Sequence, residues 1–227
     1  MNVTALDHVA LWTSDRDGVA RLLTECCGMH EIQRTDAFTL VGGDAREGKL
    51  TLFEAQGPRQ RGVLERIVLR VPAVDEVRKR LEAAGHEVAN GGYELRLEAP
   101  DGLPLGLVAS DSSGMPDLDH VVLRVPDPDA TAAALADLGL ERRGENVGVA
   151  DREVELRRGD AREGESPLLN HLAFLVEESG AVEREARARG LEIDDVVDAP
   201  NTRAVFLVGP DRIRLEYVEH KPGFSLT

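Results

Sequence analysis

The sequence reads Leu118-Asp119-His120-Val121-Val122-Leu123 just past its midpoint, and this pattern occurs four times in the chain. Each copy has a polar residue, then one distinctive position, then an apolar run that is typical of a short strand. The distinctive positions lie 58, 54 and 51 residues apart and are His8, Arg66, His120 and His171. This regular spacing predicts four copies of one structural unit.

A glycine follows each distinctive position at nearly the same distance. These glycines lie 20, 19, 19 and 19 residues further on and are Gly28, Gly85, Gly139 and Gly190. The residues between have apolar positions at helical spacing, and glycine commonly ends a helix. The rest of each unit alternates apolar and polar residues, as in Val154-Glu155-Leu156, which indicates antiparallel strands. Each unit is therefore predicted to be βαβββ, or to lack one of the last strands.

One such unit has an open sheet that it cannot bury alone, so the units are expected to pair. We predict an α+β fold of four βαβββ modules paired into two domains, each a curved, partly closed mixed β-sheet around a cleft. Units 1 and 2 are expected to form a domain at 1–110, and units 3 and 4 a domain at 115–222. The small polar segment Asp111-Ser112-Ser113-Gly114 is interpreted as the linker between them.

Composition excludes several classes of function. Among 227 residues, 27 are Lys or Arg and 42 are Asp or Glu, which gives a net charge of −15. Neither nucleic acid nor a membrane is expected as a partner, because binding their phosphates needs clustered basic residues. No apolar run is long enough to span a bilayer, and the acidic first twenty residues are unlike a secretory signal. The adjacent Cys26 and Cys27 form no disulfide framework, so a cytoplasmic location is predicted.

With openings such as Leu6-Asp7-His8-Val9-Ala10-Leu11 and the stretch at 118–126, the chain resembles the vicinal oxygen chelate superfamily. That superfamily includes glyoxalase I, the bleomycin and fosfomycin resistance proteins and the type I extradiol dioxygenases. The stretch Leu23-Thr24-Glu25-Cys26-Cys27-Gly28-Met29 resembles it too. The resemblance covers nearly the whole chain, but it says less about the reaction, since one fold can carry many chemistries.

The resemblance implies that opening histidines and a glutamate on the last strand of a unit are metal ligands. In unit 4, Glu216 lies six residues after Pro210, at the position expected for this ligand. The equivalent position in unit 2, six residues after Pro100, is Gly106, which offers no ligand. The predicted metal ligands, all in the second domain, are His120, His171 and Glu216. Two imidazoles and one carboxylate leave adjacent coordination positions open and suit Fe(II), with Mn(II) or another divalent metal as alternatives.

The first domain is predicted to lack a complete metal site. It offers His8 and Glu54, but Arg66 stands at the partner opening position, and a guanidinium repels a metal ion. Arg66 is instead expected to pair with Glu54.

Further residues are expected around the metal. His220 lies four residues past Glu216 and is a candidate catalytic group, together with Arg203. An anionic group of the substrate is expected at Arg157 or Arg158. Phe206 and Arg214 complete the predicted substrate-binding residues.

The two-domain layout resembles that of type I extradiol dioxygenases, which implies a catecholic substrate and O₂. Three departures concern the fourth unit: the segment 199–210 contains no histidine, Phe206 stands where that family has a tyrosine, and Gly209 replaces its usual aspartate. An Fe(II) extradiol-like dioxygenase acting on a small catecholic or chelating aromatic substrate is the leading prediction. The alternatives are a glyoxalase- or epimerase-like lyase or isomerase, and a non-enzymatic small-molecule (antibiotic) binding protein. A homodimer is compatible with this layout.

Overall fold

The computed structural model describes residues 1–43, 47–110, 114–160 and 166–224. These residues form four α-helices and sixteen strands, arranged in two mixed sheets of eight strands. The predicted α+β class and the four βαβββ units are confirmed. Each unit has three strands after its helix.

The first two units have the following elements. Unit 1 contains β1 (Val3–Thr13), α1 (Arg16–Arg21), β2 (His30–Arg34), β3 (Phe38–Gly42) and β4 (Lys49–Glu54). Unit 2 contains β5 (Leu64–Val71), α2 (Val74–Ala83), β6 (Val88–Asn90), β7 (Leu95–Ala99) and β8 (Leu103–Ala109).

The last two units repeat this order. Unit 3 contains β9 (Asp117–Val125), α3 (Pro128–Asp137), β10 (Glu141–Arg143), β11 (Asn146–Val149) and β12 (Arg152–Arg158). Unit 4 contains β13 (Leu169–Val176), α4 (Ser179–Arg189), β14 (Ile193–Asp198), β15 (Thr202–Val208) and β16 (Arg214–His220). The glycine after each helix has a positive φ, between 67° and 111°, which is the left-handed conformation predicted for a helix end.

The units pair differently from the expectation. One sheet has the strand order β14-β15-β16-β13-β1-β4-β3-β2 and therefore joins unit 1 to unit 4. The other has the order β10-β11-β12-β9-β5-β8-β7-β6 and joins unit 2 to unit 3. The sheets thus do not follow the predicted division into 1–110 and 115–222. Of the predicted linker, residues 111–113 lie outside the described residues.

The connections between units explain this pairing. The chain passes from unit 1 to unit 2 through residues 55–63, and from unit 3 to unit 4 through residues 159–168. Gln60 and residues 166–168 of these connections lie side by side, because the Gln60 amide donates to the Ser166 carbonyl (2.9 Å) and the Leu168 amide donates to the Gln60 carbonyl (2.7 Å). The chain therefore crosses between the two sheets twice at one place, which brings the first and last units together.

Apolar packing unites the two sheets. One contiguous core cluster contains residues of both sheets and of all four helices, among them Val19, Val77, Leu135 and Val182. A second, small cluster of Ala173, Ala204, Phe206 and Val218 lies apart from that core. Among the described residues, no helix is long and apolar enough to cross a membrane.

A β-bulge precedes the distinctive position of each unit. The opening strands pair antiparallel, β1 with β13 and β5 with β9, and the register of each pair shifts next to the distinctive residue. The residue that the register skips is in each case the polar one, namely Asp7, Glu65, Asp119 and Asn170. Because a bulge interrupts the strict alternation of side chains, two consecutive residues can act on the same site.

Candidate metal centre

Three side chains from three neighbouring strands meet on the sheet of units 1 and 4. Nε2 of His171 on β13 lies 2.7 Å from Oε2 of Glu216 on β16, and Nε2 of His8 on β1 lies 3.3 Å from the same oxygen. The two Nε2 atoms are 3.1 Å apart. His171 and Glu216 are buried and His8 is half-buried. We call these three residues the triad.

Asp7, the bulged residue before His8, contacts the other ring nitrogen of that histidine. Its Oδ2 lies 2.7 Å from His8 Nδ1. Its Oδ1 accepts a hydrogen bond from Lys49 Nζ (2.9 Å) and lies 3.1 Å from Nε2 of His220. A carboxylate on Nδ1 fixes the ring orientation and makes the opposite nitrogen a stronger metal ligand.

Asn170 has the same position relative to His171, but it is neutral. Its Oδ1 lies 2.9 Å from His171 Nδ1 and accepts a second hydrogen bond from Arg214 Nη1 at 3.3 Å. The amide oxygen thus orients His171 without adding negative charge.

Protonation differs among the triad residues. Burial alone would raise the pKa of Glu216, but hydrogen bonds from His171 and His8 outweigh it and lower this pKa to about 2. Burial alone would lower the pKa of His8, but hydrogen bonds to Asp7 and Glu216 raise it to about 9. Burial is the main cause that lowers the pKa of His171. In the metal-free protein at neutral pH, His8 is therefore cationic, Glu216 anionic and His171 neutral.

The donor set fits a divalent metal ion. Ligand atoms at about 2.1 Å from one ion, at right angles to one another, are about 3 Å apart. The three separations in the triad are 2.7, 3.1 and 3.3 Å, so the donors have the spacing of three ligands on one face of an octahedral ion. Among the described residues, this is the one group of three or more His, Cys, Asp or Glu side chains close enough to share an ion.

The position in unit 1 that is equivalent to Glu216 in unit 4 is a threonine, and it is the fourth position of this site, beside those of the triad. Glu216 pairs with Ala173, two residues after His171, and Thr51 on β4 pairs with Ala10, two residues after His8. Thr51 is buried and offers a hydroxyl. Glu54, which the sequence suggested for unit 1, is an exposed residue whose carboxylate pairs with Arg16 at 3.3 Å.

His120 lies in the other sheet, and this corrects the predicted set of ligands. Its Nδ1 is 2.9 Å from Asp119 Oδ2, and its Nε2 is 3.7 Å from Glu155 Oε2 and has no hydrogen-bond partner in the described part of the chain. The register makes His120 and Glu155 the counterparts of His171 and Glu216. The prediction of His120 as a ligand depended on the expectation that units 3 and 4 share a sheet.

Arg66 occupies the place that His8 has in the first sheet. Its Nε donates to Glu94 Oε2 at 3.1 Å, and its Nη2 lies 3.1 Å from Glu94 Oε1. The expected pairing of Arg66 with Glu54 is therefore wrong. Gly106 leaves the room for Glu94, because a Cβ there would collide with Glu94 Oε2. An ion pair thus fills the second sheet where the first has metal donors.

Three arginines predicted at the site lie elsewhere. Arg157 pairs with Glu155 and Glu65 in the other sheet, and Arg158 is an exposed residue that contacts Asp127. The guanidinium of Arg203 donates to Ser179 Oγ at 3.0 Å and pairs with Glu183, both on α4, so it lies on the side of the sheet covered by that helix. Strand alternation explains this position, because Phe206 and Ala204 take the opposite face.

The structure brings the other predicted residues to the triad. The ring centroid of Phe206 lies 5.2 Å from that of His171, and the guanidinium of Arg214 lies 4.0 Å from the Phe206 ring. His220 contacts Asp7 and stacks on Phe224 with ring centroids 3.8 Å apart.

Sequence reasoning missed an aromatic group beside the triad. Phe38, Phe53 and Trp12 stand at directly paired positions on β3, β4 and β1. The ring of Phe53 lies 5.3 Å from Trp12, 5.9 Å from Phe38 and 6.4 Å from His171. We call Trp12, Phe38 and Phe53 the aromatic wall. The alternation His8, Ala10, Trp12 along β1 was a signal that could have indicated it.

Known proteins share this architecture. No protein-family model and no curated protein matches the chain. A candidate dioxygenase of Bacillus subtilis is 18% identical, with a TM-score of 0.75 over 98% of this chain and 87% of that one. Glyoxalase I of Zea mays is 19% identical, with a TM-score of 0.73 over 95% and 92% of the two chains. The cppA protein of Streptococcus pneumoniae is 16% identical, with a TM-score of 0.68 over 96% and 99%. These similarities confirm the fold that the resemblance to the vicinal oxygen chelate superfamily implied.

Proposed function

We propose that this protein is a metal-dependent enzyme in which His8, His171 and Glu216 hold one divalent ion. The observation that supports this most strongly is the spacing of the three donor atoms, 2.7 to 3.3 Å. Each histidine is also oriented at its other nitrogen, by Asp7 or by Asn170. Fe(II) is the proposed metal, with Mn(II) or another divalent ion as alternatives, because two imidazoles and one carboxylate suit these ions.

The proposed reaction is an extradiol-like oxygenation of a small chelating aromatic compound. An Fe(II) ion held by three protein ligands supplies adjacent open positions for a substrate with two neighbouring oxygens and for O₂. The half-buried rings of the aromatic wall favour a planar apolar substrate and exclude water from one side of the site.

The residues around the triad have distinct proposed roles. Thr51 offers a neutral hydroxyl to the substrate from the fourth position of the sheet. His220 is proposed as the group that takes up or releases a proton at Nε2, the atom that faces Asp7. Phe206 packs on His171 and provides no proton.

Two other functions are disfavoured by specific features. A lyase or isomerase of the glyoxalase type would use a second carboxylate as the base, and the fourth position holds Thr51. A binding protein without catalysis has no need of three converging metal donors. A binding function would be indicated if the metal-loaded protein bound a chelating compound without turning it over.

Oxygen uptake by the metal-loaded protein tests this proposal. The protein is purified anaerobically and loaded with Fe(II). O₂ consumption is then recorded with catechol and substituted catechols. We expect one O₂ consumed per substrate and a ring-opened product.

The matched controls are Glu216→Gln and Glu155→Gln, which change equivalent positions of the two sheets. Glu216→Gln should abolish uptake and Glu155→Gln should leave it unchanged. The oxygenase proposal fails if fully loaded protein binds a catechol but consumes no O₂. The metal proposal fails if the protein binds no divalent ion.

A further inference from the structure

Aromatic residues are few in this chain, and half of them lie near the triad. The sequence has five Phe, two Tyr and one Trp. Trp12, Phe38, Phe53 and Phe206 form ring contacts that reach His171, at centroid distances of 5.2 to 6.4 Å. This concentration at one polar centre is not what core packing alone requires.

The aromatic wall is open on one side. Trp12, Phe38 and Phe53 are each half-buried, whereas Phe174 and Tyr217 are completely buried in the core. Half-exposed rings in paired positions of one sheet form a flat apolar surface. Because His8 and Trp12 lie four residues apart on β1, this surface extends about 13 Å from the triad.

Arg59 lies at the far end of the wall. Its guanidinium carbon is 5.5 Å from the centroid of the Trp12 ring. Its Nε is buried without a hydrogen-bond partner, and no ion pair of Arg59 is found among the described residues. By contrast, Arg61, two residues along the same loop, pairs with Glu98 at 2.6 Å. Most arginines in the described part of this acidic chain pair with a carboxylate, and Arg59 does not.

We propose that Arg59 binds an anionic group of the substrate, so that the ligand is a chelating aromatic acid. The chelating oxygens lie at the triad, the apolar body lies along Phe53 and Trp12, and the anionic group reaches the guanidinium. Arginine is suited to this, since its planar fork binds carboxylates and stacks on aromatic rings. This inference rests on the proposed metal site and adds the substrate class to it.

The only tryptophan of the chain gives a direct readout. Trp12 fluorescence, excited selectively, is titrated with 5-(3,4-dihydroxyphenyl)pentanoate and with its primary amide, using anaerobic Fe(II)-loaded protein. The two probes have the same ring and chain length and differ only in charge. We expect both to change the fluorescence and the acid to bind about tenfold more tightly, the usual effect of one charge-assisted hydrogen bond.

Variants of the loop locate the preference. Arg59→Gln should weaken binding of the acid about tenfold and leave binding of the amide unchanged. Arg61→Gln, a control at an exposed position already paired with Glu98, should keep the full preference. The inference is overturned if wild-type protein binds acid and amide equally, or if Arg59→Gln retains the preference. Metal content is measured on the same samples, so that loss of the metal site is distinguished from failure of this inference.

Discussion

The substitution Asp7→Asn tests how the protein prepares His8 for a metal. Asp7 is 2% exposed and its carboxylate contacts His8, Lys49 and His220 within 3.1 Å. Burial alone would raise the pKa of Asp7, but hydrogen bonds from His220 and His8 and the charge of Lys49 lower it well below its usual range. The carboxylate is therefore ionised at every pH of interest, and asparagine removes a charge that its neighbours use.

The magnitude follows from these contacts. Removing one partner of a buried ion pair typically costs about 3–5 kcal/mol. Asparagine keeps an oxygen for His8 Nδ1, as Asn170 does for His171, so the loss should be at the lower end. We expect the free energy of unfolding of the metal-free protein at pH 7 to fall by about 3 kcal/mol. Metal affinity should fall about tenfold, which is the lower end of the effect expected when a residue that orients a metal ligand is changed.

Asp119→Asn is the matched control, because Asp119 contacts His120 in the same way in the other sheet. Its side chain is 31% exposed, so the substitution should cost less than about 1 kcal/mol and leave metal affinity unchanged. Chemical unfolding gives the stabilities and metal titration gives the affinities. Equal effects of the two substitutions would refute the reasoning.

Three further outcomes follow. The pKa of His8 is about 9, above its usual 6.5, so protonated His8 stabilises the folded protein fully below pH 6.5 and this contribution is lost as pH rises through 9. Chemical unfolding of the metal-free protein should therefore show a free energy of unfolding that falls by up to about 3 kcal/mol over this range. The fall should be much smaller in His8→Gln. Arg66→His places a third donor beside His120 and Glu155, so metal analysis should find two ions per chain, and a count of one would contradict the register equivalence. Tyr217→Phe removes a buried hydrogen bond from the Tyr217 hydroxyl to the Leu138 carbonyl (2.8 Å), which joins units 4 and 3. Thermal unfolding should show that the free energy of unfolding falls by about 1–2 kcal/mol. An unchanged Tm would show that this bond is dispensable.

Local features of the fold could be predicted from the sequence. The openings at His8, Arg66, His120 and His171 predict strands, and the glycines about 19 residues later predict helix ends, because these signals depend on short segments. The closeness of His171 and Glu216 could be anticipated, since both belong to unit 4 and no partner unit is needed to place them. Their role as metal ligands stays a prediction.

The choice of partner units could not be predicted in the same way. The four units have similar sequence patterns, so these patterns do not say which two units share a sheet. In the structure unit 1 shares a sheet with unit 4, and the connections near Gln60 and Ser166 are hydrogen-bonded to each other. His8 and His171 meet across 163 residues, which no local pattern reveals. Glu155 is identified only by the strand register, which makes it the equivalent of Thr51, whereas Arg157 is the equivalent of Phe53.

Metal affinity measured on His8→Ala and His120→Ala tests the central claim most directly. A four-ligand structural zinc site is worth about 10–16 kcal/mol, or about 3 kcal/mol per ligand, so losing one donor should weaken binding about 100-fold or more. Wild-type protein should bind one divalent ion per chain, His8→Ala should lose that affinity, and His120→Ala should retain it. Metal lost in His120→Ala and retained in His8→Ala would contradict the assignment of the centre to the sheet of units 1 and 4.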